Sequence, residues 1–411
     1  MFHVKQGAVP TLPKGYVLSL PKGRVLALLG LILLSLLALA CGGAAGSRGW
    51  AAPVPSDDAL IVSTGKGRLD ALDPQTLEGI WRFPNFWKLP SRAERLAGIY
   101  GAPVIDSDGV VYVGDYNGYV YAFRPADLPN VEVLTGEDRP PAAAFKLEDA
   151  IIGGVVLDEA SGTLFVAAGR NLYAIRASDL VARIENEKAS VGLNVVFKTG
   201  GDIWAAPLLD DGKLFVASLD GSLYAVDARS GSELWRFTAS GGLVTTPVLA
   251  GDLLLVGGLD SRLHAIDLGG GDERWSFTAA NWVWSRPLVD GGRVYFGDFD
   301  GNLYAVDVDR GQELWRLSLG KGPIRAAPAL VDGRLIVATE EGWLFGVEPS
   351  GQRSWLKEVP GASLNADLVA SDDAVLIAPS GCSKPVGASE KLYYASVDPQ
   401  TGELRSASGV C

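Results

Sequence analysis

The sequence predicts an all-β fold, an eight-bladed β-propeller of four-stranded blades, on three observations. A tryptophan recurs every forty residues, at Trp235, Trp275, Trp315 and Trp355. The segments around these tryptophans repeat the same proline, hairpin-turn and aromatic positions, and a period near forty indicates repeated supersecondary units. Finally, 51 of the 411 residues are glycine, which is typical of many short strands joined by tight turns.

Each repeat contains four candidate strands. In the unit that opens at Pro207, a short apolar run forms the first strand and Leu214–Ala217 the second. Asp220-Gly221 then supplies a tight hairpin turn, because Asp-Gly favours the positive φ angles that such turns need. The third strand, Leu223–Val226, alternates small and aromatic residues, and the fourth carries Trp235. This alternation gives a strand two packed faces, one toward each neighbouring blade.

Counting outward from this regular centre gives eight units. The first opens at Trp50, the second at Tyr100, and the last runs from about Leu364 to Arg405. We expect residues 50–411 to form a single closed ring without exposed sheet edges. Seven blades is the competing count, because the third and eighth units lack both the proline and the tryptophan.

The spacing of alanine, glycine and tryptophan resembles a known family. Ala225, Gly231 and Trp235 match the tryptophan-docking motif of the pyrroloquinoline-quinone (PQQ) repeat propellers, a group that includes quinoprotein dehydrogenases and BamB-like envelope lipoproteins. The resemblance implies that each indole packs between blades against the alanine and glycine of a neighbouring unit. The motif residues are Trp81, Trp235, Trp275, Trp315, Trp355, Gly231, Gly271 and Gly311.

The N-terminal segment indicates export. Lys22 and Arg24 precede an unbroken apolar run, Val25–Ala40, so residues 1–40 are typical of a signal peptide. Residues 38–41 resemble a lipobox, which implies acylation of Cys41 and a flexible tether over residues 41–49. The alternative is an uncleaved membrane anchor, although this run falls short of the ~20 residues that span a bilayer. Both interpretations predict an extracytoplasmic, membrane-anchored protein.

Charge argues against a nucleic-acid partner. The leader holds four of the 36 basic residues and no acid, so the remainder has 32 basic and 48 acidic residues, a net charge of −16. Phosphate recognition requires basic patches. We therefore expect an acidic surface that keeps a monomer soluble.

Two cysteines besides Cys41 are candidates for a disulfide bond. Cys382 lies in a loop of the last unit and Cys411 is the final residue, and an oxidising compartment permits their pairing. The alternative is two free thiols. Metal binding is not expected, because no histidine lies nearby and no Cys-x-x-Cys spacing exists.

Catalytic residues are scarce. His264 is the one histidine beyond the leader, and it occupies the position of Tyr224, Tyr304 and Phe345 in other units, which predicts a packing function. A Ser-His-Asp or Cys-His set cannot be assembled around it. The quinoprotein dehydrogenases use PQQ with calcium and typically carry an adjacent cysteine pair that this sequence lacks. We therefore expect no catalytic residues and no cofactor.

Aromatic residues predict a binding surface. The first strand of a propeller blade lines the central channel, so the residues three positions before each opening proline should surround one mouth of it. By alignment these are Trp50, Tyr100, Ile152, Trp204, Val244, Trp284, Arg325 and Leu364. The alternative is that these side chains merely fill the space between first strands.

Three insertions are further candidates for recognition. The connection from Pro84 to Ile99, with Phe86, Trp87 and Lys88, should rise from the same face as the aromatic residues. Insertions at residues 125–144 and 177–194 belong to the opposite face, and the second is compatible with a short helix.

These observations predict a non-enzymatic propeller that binds envelope proteins or another ligand. Similarity to the BamB-like lipoproteins implies a function in outer-membrane protein assembly. The alternatives are a PQQ-dependent dehydrogenase and a sensor or carbohydrate-binding propeller.

Overall fold

A computed structural model describes residues 51–56, 59–64, 68–74, 76–83, 96–128, 142–371, 373–379 and 394–408. Trp50, Phe86, Trp87, Lys88 and the three cysteines lie outside this part of the chain, as do the predicted leader and tether.

Eight four-stranded antiparallel sheets are present, and each is built from four consecutive strands. The eight-bladed propeller is therefore confirmed and the seven-bladed count is wrong. The blades are numbered 1 to 8 in chain order. The strands of blades 1 to 4 are β1 (Val54–Pro55), β2 (Leu60–Thr64), β3 (Arg68–Leu72), β4 (Gly79–Phe83), β5 (Val104–Ile105), β6 (Val111–Gly114), β7 (Tyr119–Phe123), β8 (Ala142–Lys146), β9 (Ile151–Asp158), β10 (Thr163–Ala168), β11 (Asn171–Arg176), β12 (Leu193–Lys198), β13 (Leu208–Asp210), β14 (Lys213–Ala217), β15 (Ser222–Asp227) and β16 (Glu233–Thr238).

The strands of blades 5 to 8 are β17 (Val248–Ala250), β18 (Leu253–Gly257), β19 (Arg262–Asp267), β20 (Glu273–Thr278), β21 (Leu288–Asp290), β22 (Arg293–Gly297), β23 (Asn302–Asp307), β24 (Glu313–Ser318), β25 (Ala329–Val331), β26 (Arg334–Ala338), β27 (Trp343–Val347), β28 (Arg353–Glu358), β29 (Val369–Ala370), β30 (Val375–Ile377), β31 (Tyr394–Val397) and β32 (Leu404–Ser408).

The insertion before β12 forms a helix, α1 (Ala177–Glu185). Its buried residues Leu180 and Ile184 pack in one cluster with Ala143 of blade 2, so the helix covers a neighbouring blade. A short 3-10 turn at Pro125–Asp127 begins the other insertion, most of which lies outside the described residues.

The core consists of eight clusters of buried apolar residues, one between each pair of adjacent blades. At the seam between blades 8 and 1, Leu376 packs with Leu60, Leu72 and Leu77. In the described part of the chain, no strand from the N-terminal region enters the sheet of blade 8. Among the described residues, side-chain packing joins blades 8 and 1.

The fourth strand of every sheet has one hydrogen-bonded neighbour, so the expectation that ring closure removes all sheet edges is wrong. Several of these outer strands carry ion pairs, such as Glu233 with Arg236 and Glu313 with Arg316, both at 2.7 Å. Charges of this kind discourage pairing with another chain.

Tryptophans of blades 4 to 7 pack on glycines of the following blade. A Cβ atom at Gly271 would lie 2.5 Å from Cε3 of Trp235, so only glycine fits beneath the indole. The alanine of the motif lies in the tryptophan's own blade, because Ala225 is the strand partner of Trp235. The indole Nε1 atoms donate hydrogen bonds to carbonyl oxygens of the next blade, from Trp235 to Leu268 (3.3 Å), Trp275 to Val308 (2.9 Å), Trp315 to Pro349 (2.8 Å) and Trp355 to Pro399 (2.9 Å).

Other positions in the ring depart from this packing, as blades 3 and 1 illustrate. In blade 3, Asn194 stands opposite Ala174 where the regular blades have tryptophan, and the Val196 carbonyl lies against Gly231. In blade 1, Leu77 replaces the glycine, with a φ of 57° and 1% exposure. The equivalence follows from the turn, since Leu77 N–H donates to the Asp73 carbonyl just as Gly311 N–H donates to that of Asp307.

Candidate functional site

The candidate site is a cavity of about 300 Å³ where the connections that enter the first strands meet. Tyr100, Ile152, Trp204, Val244, Trp284 and Arg325 all line it. In blade 8, the position belongs to Asn365, so the assignment of Leu364 is wrong by one residue. Leu364 is 1% exposed and packs in the core between blades 7 and 8. We call this cavity, with its lining residues, the channel mouth.

One side of the channel mouth is aromatic. The rings of Trp204 and Trp284, from blades 4 and 6, lie 6.0 Å apart between centroids and so meet across the intervening blade 5. Phe299 extends this wall, with its ring 6.2 Å from Trp284 and 5.4 Å from Trp282. Aromatic pairs at such separations stabilise one another beyond the burial of their area.

A second aromatic pair belongs to blade 2, where the rings of Tyr100 and Tyr116 are 5.6 Å apart. Tyr116 and Phe299 each lie in the turn between the second and third strands of their blades. Sequence reasoning did not find them, because that position holds Leu219 and Leu259 in other blades and therefore shows no aromatic period.

The other side of the channel mouth is charged. Arg286 Nε lies 2.8 Å from Asp367 Oδ2, an ion pair that joins blades 6 and 8. Asp367 Oδ1 also accepts the backbone N–H of Ala327, at 2.7 Å, so the carboxylate is held from two directions. Sequence reasoning missed both residues of this pair. Each lies just before an opening proline or its equivalent, where several other blades have alanine, so a charged residue at this position was the available signal.

Arg325 joins the charged and aromatic sides. Its Nε is 3.1 Å from Glu340 Oε2, and its guanidinium lies 4.9 Å from the ring centroid of Phe299 and 5.3 Å from that of Trp284. Its side chain is 12% exposed. Cation–π contacts are strongest when they are desolvated in this way.

Backbone hydrogen bonds fix the loops around the channel mouth. The turn between the second and third strands donates to the connection that enters the same blade, as from Phe299 N–H to the Trp282 carbonyl (3.0 Å) and from Glu340 N–H to that of Pro323 (2.8 Å). Gly101 and Gly154 bring blades 2 and 3 into backbone contact. The site is therefore preformed, as binding pockets commonly are.

His264 lies away from the channel mouth and bridges two carboxylates. Its Nε2 is 3.1 Å from Asp260 Oδ2 and its Nδ1 is 2.7 Å from Glu273 Oε1. Burial alone would lower the pKa of His264, but these two partners outweigh it and raise the pKa above 6.5. In blades 4 and 6 a tyrosine and an arginine share this position, with Arg236 stacked 4.7 Å from Tyr224. In blade 5 the arginine is replaced by Ser276, and His264 supplies the ring and, when protonated, the charge.

This arrangement predicts pH-dependent stability. The pKa of His264 is raised in the folded state, so the pairing of protonated His264 with its two carboxylates stabilises the fold. This stabilisation is fully present well below pH 6.5 and is lost as the pH rises through the folded pKa. His264→Tyr should remove that dependence but leave Glu273 without its cation. His264→Tyr with Ser276→Arg should recover the stability and keep it level between pH 6 and 9. Urea unfolding at several pH values measures both effects, and a wild-type midpoint that does not fall above neutral pH would contradict a protonated His264.

The described residues contain no cluster of three or more His, Cys, Asp or Glu side chains able to hold a metal ion. They also include no helix of sufficient length and apolarity to cross a membrane. Both ring nitrogens of His264 face carboxylates, so this histidine is not placed to accept a proton from a substrate.

The chain matches a family model of PQQ-type repeats described as outer membrane protein assembly factor BamB, over residues 38–182, 145–281, 219–378 and 260–408. Outer membrane protein assembly factor BamB of Legionella pneumophila (strain Paris) is 28% identical over 192 residues. The alignment covers 46% of this chain and 44% of that protein, less than half the length of either.

Two solved structures resemble the chain. The computationally designed Ika8 protein superposes with a TM-score of 0.59 and 14% identity, over 81% of this chain and 94% of its own, and shares the fold. BamB from Moraxella catarrhalis has a TM-score of 0.44 and 16% identity, over 67% of this chain and 90% of its own.

Proposed function

The chain belongs to the PQQ-repeat family described as outer membrane protein assembly factor BamB, and from this premise we propose that it is a non-enzymatic scaffold that binds other envelope proteins. The observation that supports this function most directly is the channel mouth. Trp204, Trp284, Tyr100 and Arg325 are of the residue types that dominate the binding energy of protein interfaces. They stand on loops that the backbone already fixes, so a partner would not have to order them on binding.

The quinoprotein alternative requires PQQ and calcium. Calcium takes six to eight oxygen ligands, commonly several carboxylates. Of the residues that line the channel mouth, Asp367 is the one carboxylate, and it is bonded to Arg286 and to the Ala327 N–H. The described lining therefore does not fit such a calcium site, which supports a function in binding.

The proposal includes a place in the cell. Cys41 would carry the lipid, residues 41–49 would form the tether, and the propeller would lie outside the cytoplasm. Cys382 and Cys411 would form a disulfide bond in the oxidising compartment. By analogy with the protein that the family description names, the partners would include outer-membrane assembly proteins where the host has an outer membrane.

Photo-crosslinking in the native host tests the proposal. A photoreactive residue at position 282 or 87 should capture one reproducible envelope protein, identified by mass spectrometry. Trp284→Ala should weaken that capture about thirtyfold, the effect of a hot spot worth about 2 kcal/mol. In the same cells, Cys41→Ser should move the chain from the membrane fraction to the soluble one.

Leu314→Ala is the matched control, because Leu314 is an exposed apolar residue (48%) on an outer strand far from the channel mouth. The proposal fails if Trp284→Ala and Leu314→Ala capture the same protein equally well. Dye-linked oxidation of an alcohol or sugar by purified protein with PQQ and calcium would instead establish the dehydrogenase.

A further inference from the structure

Two arginines in the channel mouth each lie against a carboxylate through Nε. Arg286 Nε donates a hydrogen bond to Asp367, whereas Arg325 Nε is 3.1 Å from Glu340 without hydrogen-bond geometry, and its guanidinium is held by Phe299 and Trp284 as well. Within the described residues, the hydrogen bond of Arg286 involves neither of its Nη atoms. Both side chains line the cavity, and that of Arg286 is 43% exposed. The guanidinium of Arg286 is thus held in place while the outer part of its donor fork remains unused.

A held guanidinium is suited to one class of ligand. Its planar fork matches the two oxygens of a carboxylate, and the charge assistance roughly doubles the strength of each hydrogen bond. Because Asp367 already fixes Arg286, a ligand would not have to order that side chain. The lining holds two arginines and one carboxylate, and with Glu340 each arginine has one acidic partner. The Nη atoms of Arg286, which have no acceptor among the described residues, are the donors left for an anionic group.

The aromatic side chains of the channel mouth favour an anion that has an aromatic group attached. Trp204 and Trp284 line the same cavity as Arg286, with Tyr100 also in the lining. A volume of about 300 Å³ is at the lower end of small-molecule sites, so it admits one large side chain with its carboxylate and not a folded segment. Tyr116, Trp282 and Phe299 are half-buried around the opening and offer further contacts to a chain that leaves the cavity.

We infer that the channel mouth binds a carboxylate attached to an aromatic group, such as the C-terminal residue of an extended peptide, with the ring against Trp204 and Trp284 and the carboxylate on Arg286. This inference rests on the proposed function and names the chemistry by which the scaffold recognises a partner. A peptide C-terminus and a free aromatic acid share this chemistry. The aromatic residues around the opening favour the peptide.

Titration of purified mature protein with short synthetic ligands tests the inference, with tryptophan fluorescence as the readout. One probe is a six-residue glycine–serine peptide that ends in phenylalanine with a free carboxylate. The same peptide with an amidated C-terminus removes the anion, and one that ends in glycine removes the ring. N-acetylphenylalanine represents the free acid. The free-carboxylate phenylalanine peptide should bind about tenfold more tightly than either altered peptide.

Arg286→Gln should abolish the preference for the carboxylate over the amide. Arg316→Gln is the matched control, because Arg316 is equally exposed (44%) and pairs with Glu313 at 2.7 Å on an outer strand. It should bind like the wild type. If Arg286→Gln does not fold, Arg286→Gln with Asp367→Asn removes both charges together and should show the same loss.

The outcomes separate clearly. Equal binding of the carboxylate and amide peptides, or no binding of any probe, overturns the inference. Binding of N-acetylphenylalanine as tight as that of the peptide supports the carboxylate site and identifies a small acid as its ligand. If the protein still crosslinks to an envelope protein but does not prefer the carboxylate peptide over the amide, only this inference is wrong. If it binds the peptide but captures no partner, only the scaffold function is wrong.

Discussion

Gly311→Ala is expected to lower the free energy of unfolding by about 3–5 kcal/mol, a large fraction of the stability of an ordinary domain. Gly311 has a φ of 64°, where a Cβ atom costs about 1–2 kcal/mol. That atom would also lie 2.5 Å from Cδ2 of Trp275. The indole would have to move, which adds overpacking strain and breaks the hydrogen bond from its Nε1 to Val308. Urea unfolding measures the loss.

Gly251→Ala provides the control, because Gly251 has the same φ of 64° and no atom would lie within 4 Å of its Cβ. It should lower the free energy of unfolding by only about 1–2 kcal/mol, the cost of a Cβ atom at this φ angle. In a Trp275→Ala background, Gly311→Ala should then cost no more than Gly251→Ala does. Equal losses for the two single substitutions in the wild type would rule out the indole as the cause.

Leu77→Gly is expected to lower the free energy of unfolding by about 2–3 kcal/mol, although it restores the residue type of the regular repeats. The substitution relieves about 1–2 kcal/mol of strain at a φ of 57°. It also removes a fully buried side chain from the seam between blades 8 and 1, where large-to-small changes cost about 2–5 kcal/mol. Hydrogen exchange should show that β1–β4 and the described strands of blade 8 lose protection first.

The seam offers a stringent test of this explanation. Ser406 stands opposite Ser396, at the strand position that tryptophan occupies opposite Ala225 in blade 4. Ser406→Trp in the Leu77→Gly background should supply the missing docking pair and recover stability, whereas Ser406→Trp alone should destabilise. Asp211→Gly is the control for backbone strain, since Asp211 is exposed with a φ of 45°, and it should be neutral or stabilising. If Ser406→Trp stabilises the protein equally with and without Leu77→Gly, then Leu77 does not fill the place of a docked tryptophan.

The repeat made the fold predictable because the same physical demands recur forty residues apart. Pro207, Asp220 and Trp235 each mark one element of a blade, and three regular copies confirm the pattern. The prediction failed where a blade changes these markers. In blade 8, Leu368 stands in place of the opening proline and Asn365 in place of an aromatic residue, so alignment by residue type selected Leu364 instead.

The site was predictable only in part. Trp204, Trp284 and Arg325 occupy a repeating position, so the period locates them. The ion pair of Arg286 with Asp367 joins residues 81 positions apart, across an intervening blade, and no local pattern encodes it. Phe299 was missed because its turn holds different residue types in other blades. His264 was located correctly, but its contacts with Asp260 and Glu273 become evident only in the structure.

Each sheet of this ring is formed by one uninterrupted stretch of chain. Cutting the polypeptide between two blades would therefore divide no sheet, and adding or deleting one whole repeat would leave every remaining sheet complete. Sheet pairing alone therefore does not dictate which blade comes first in the chain.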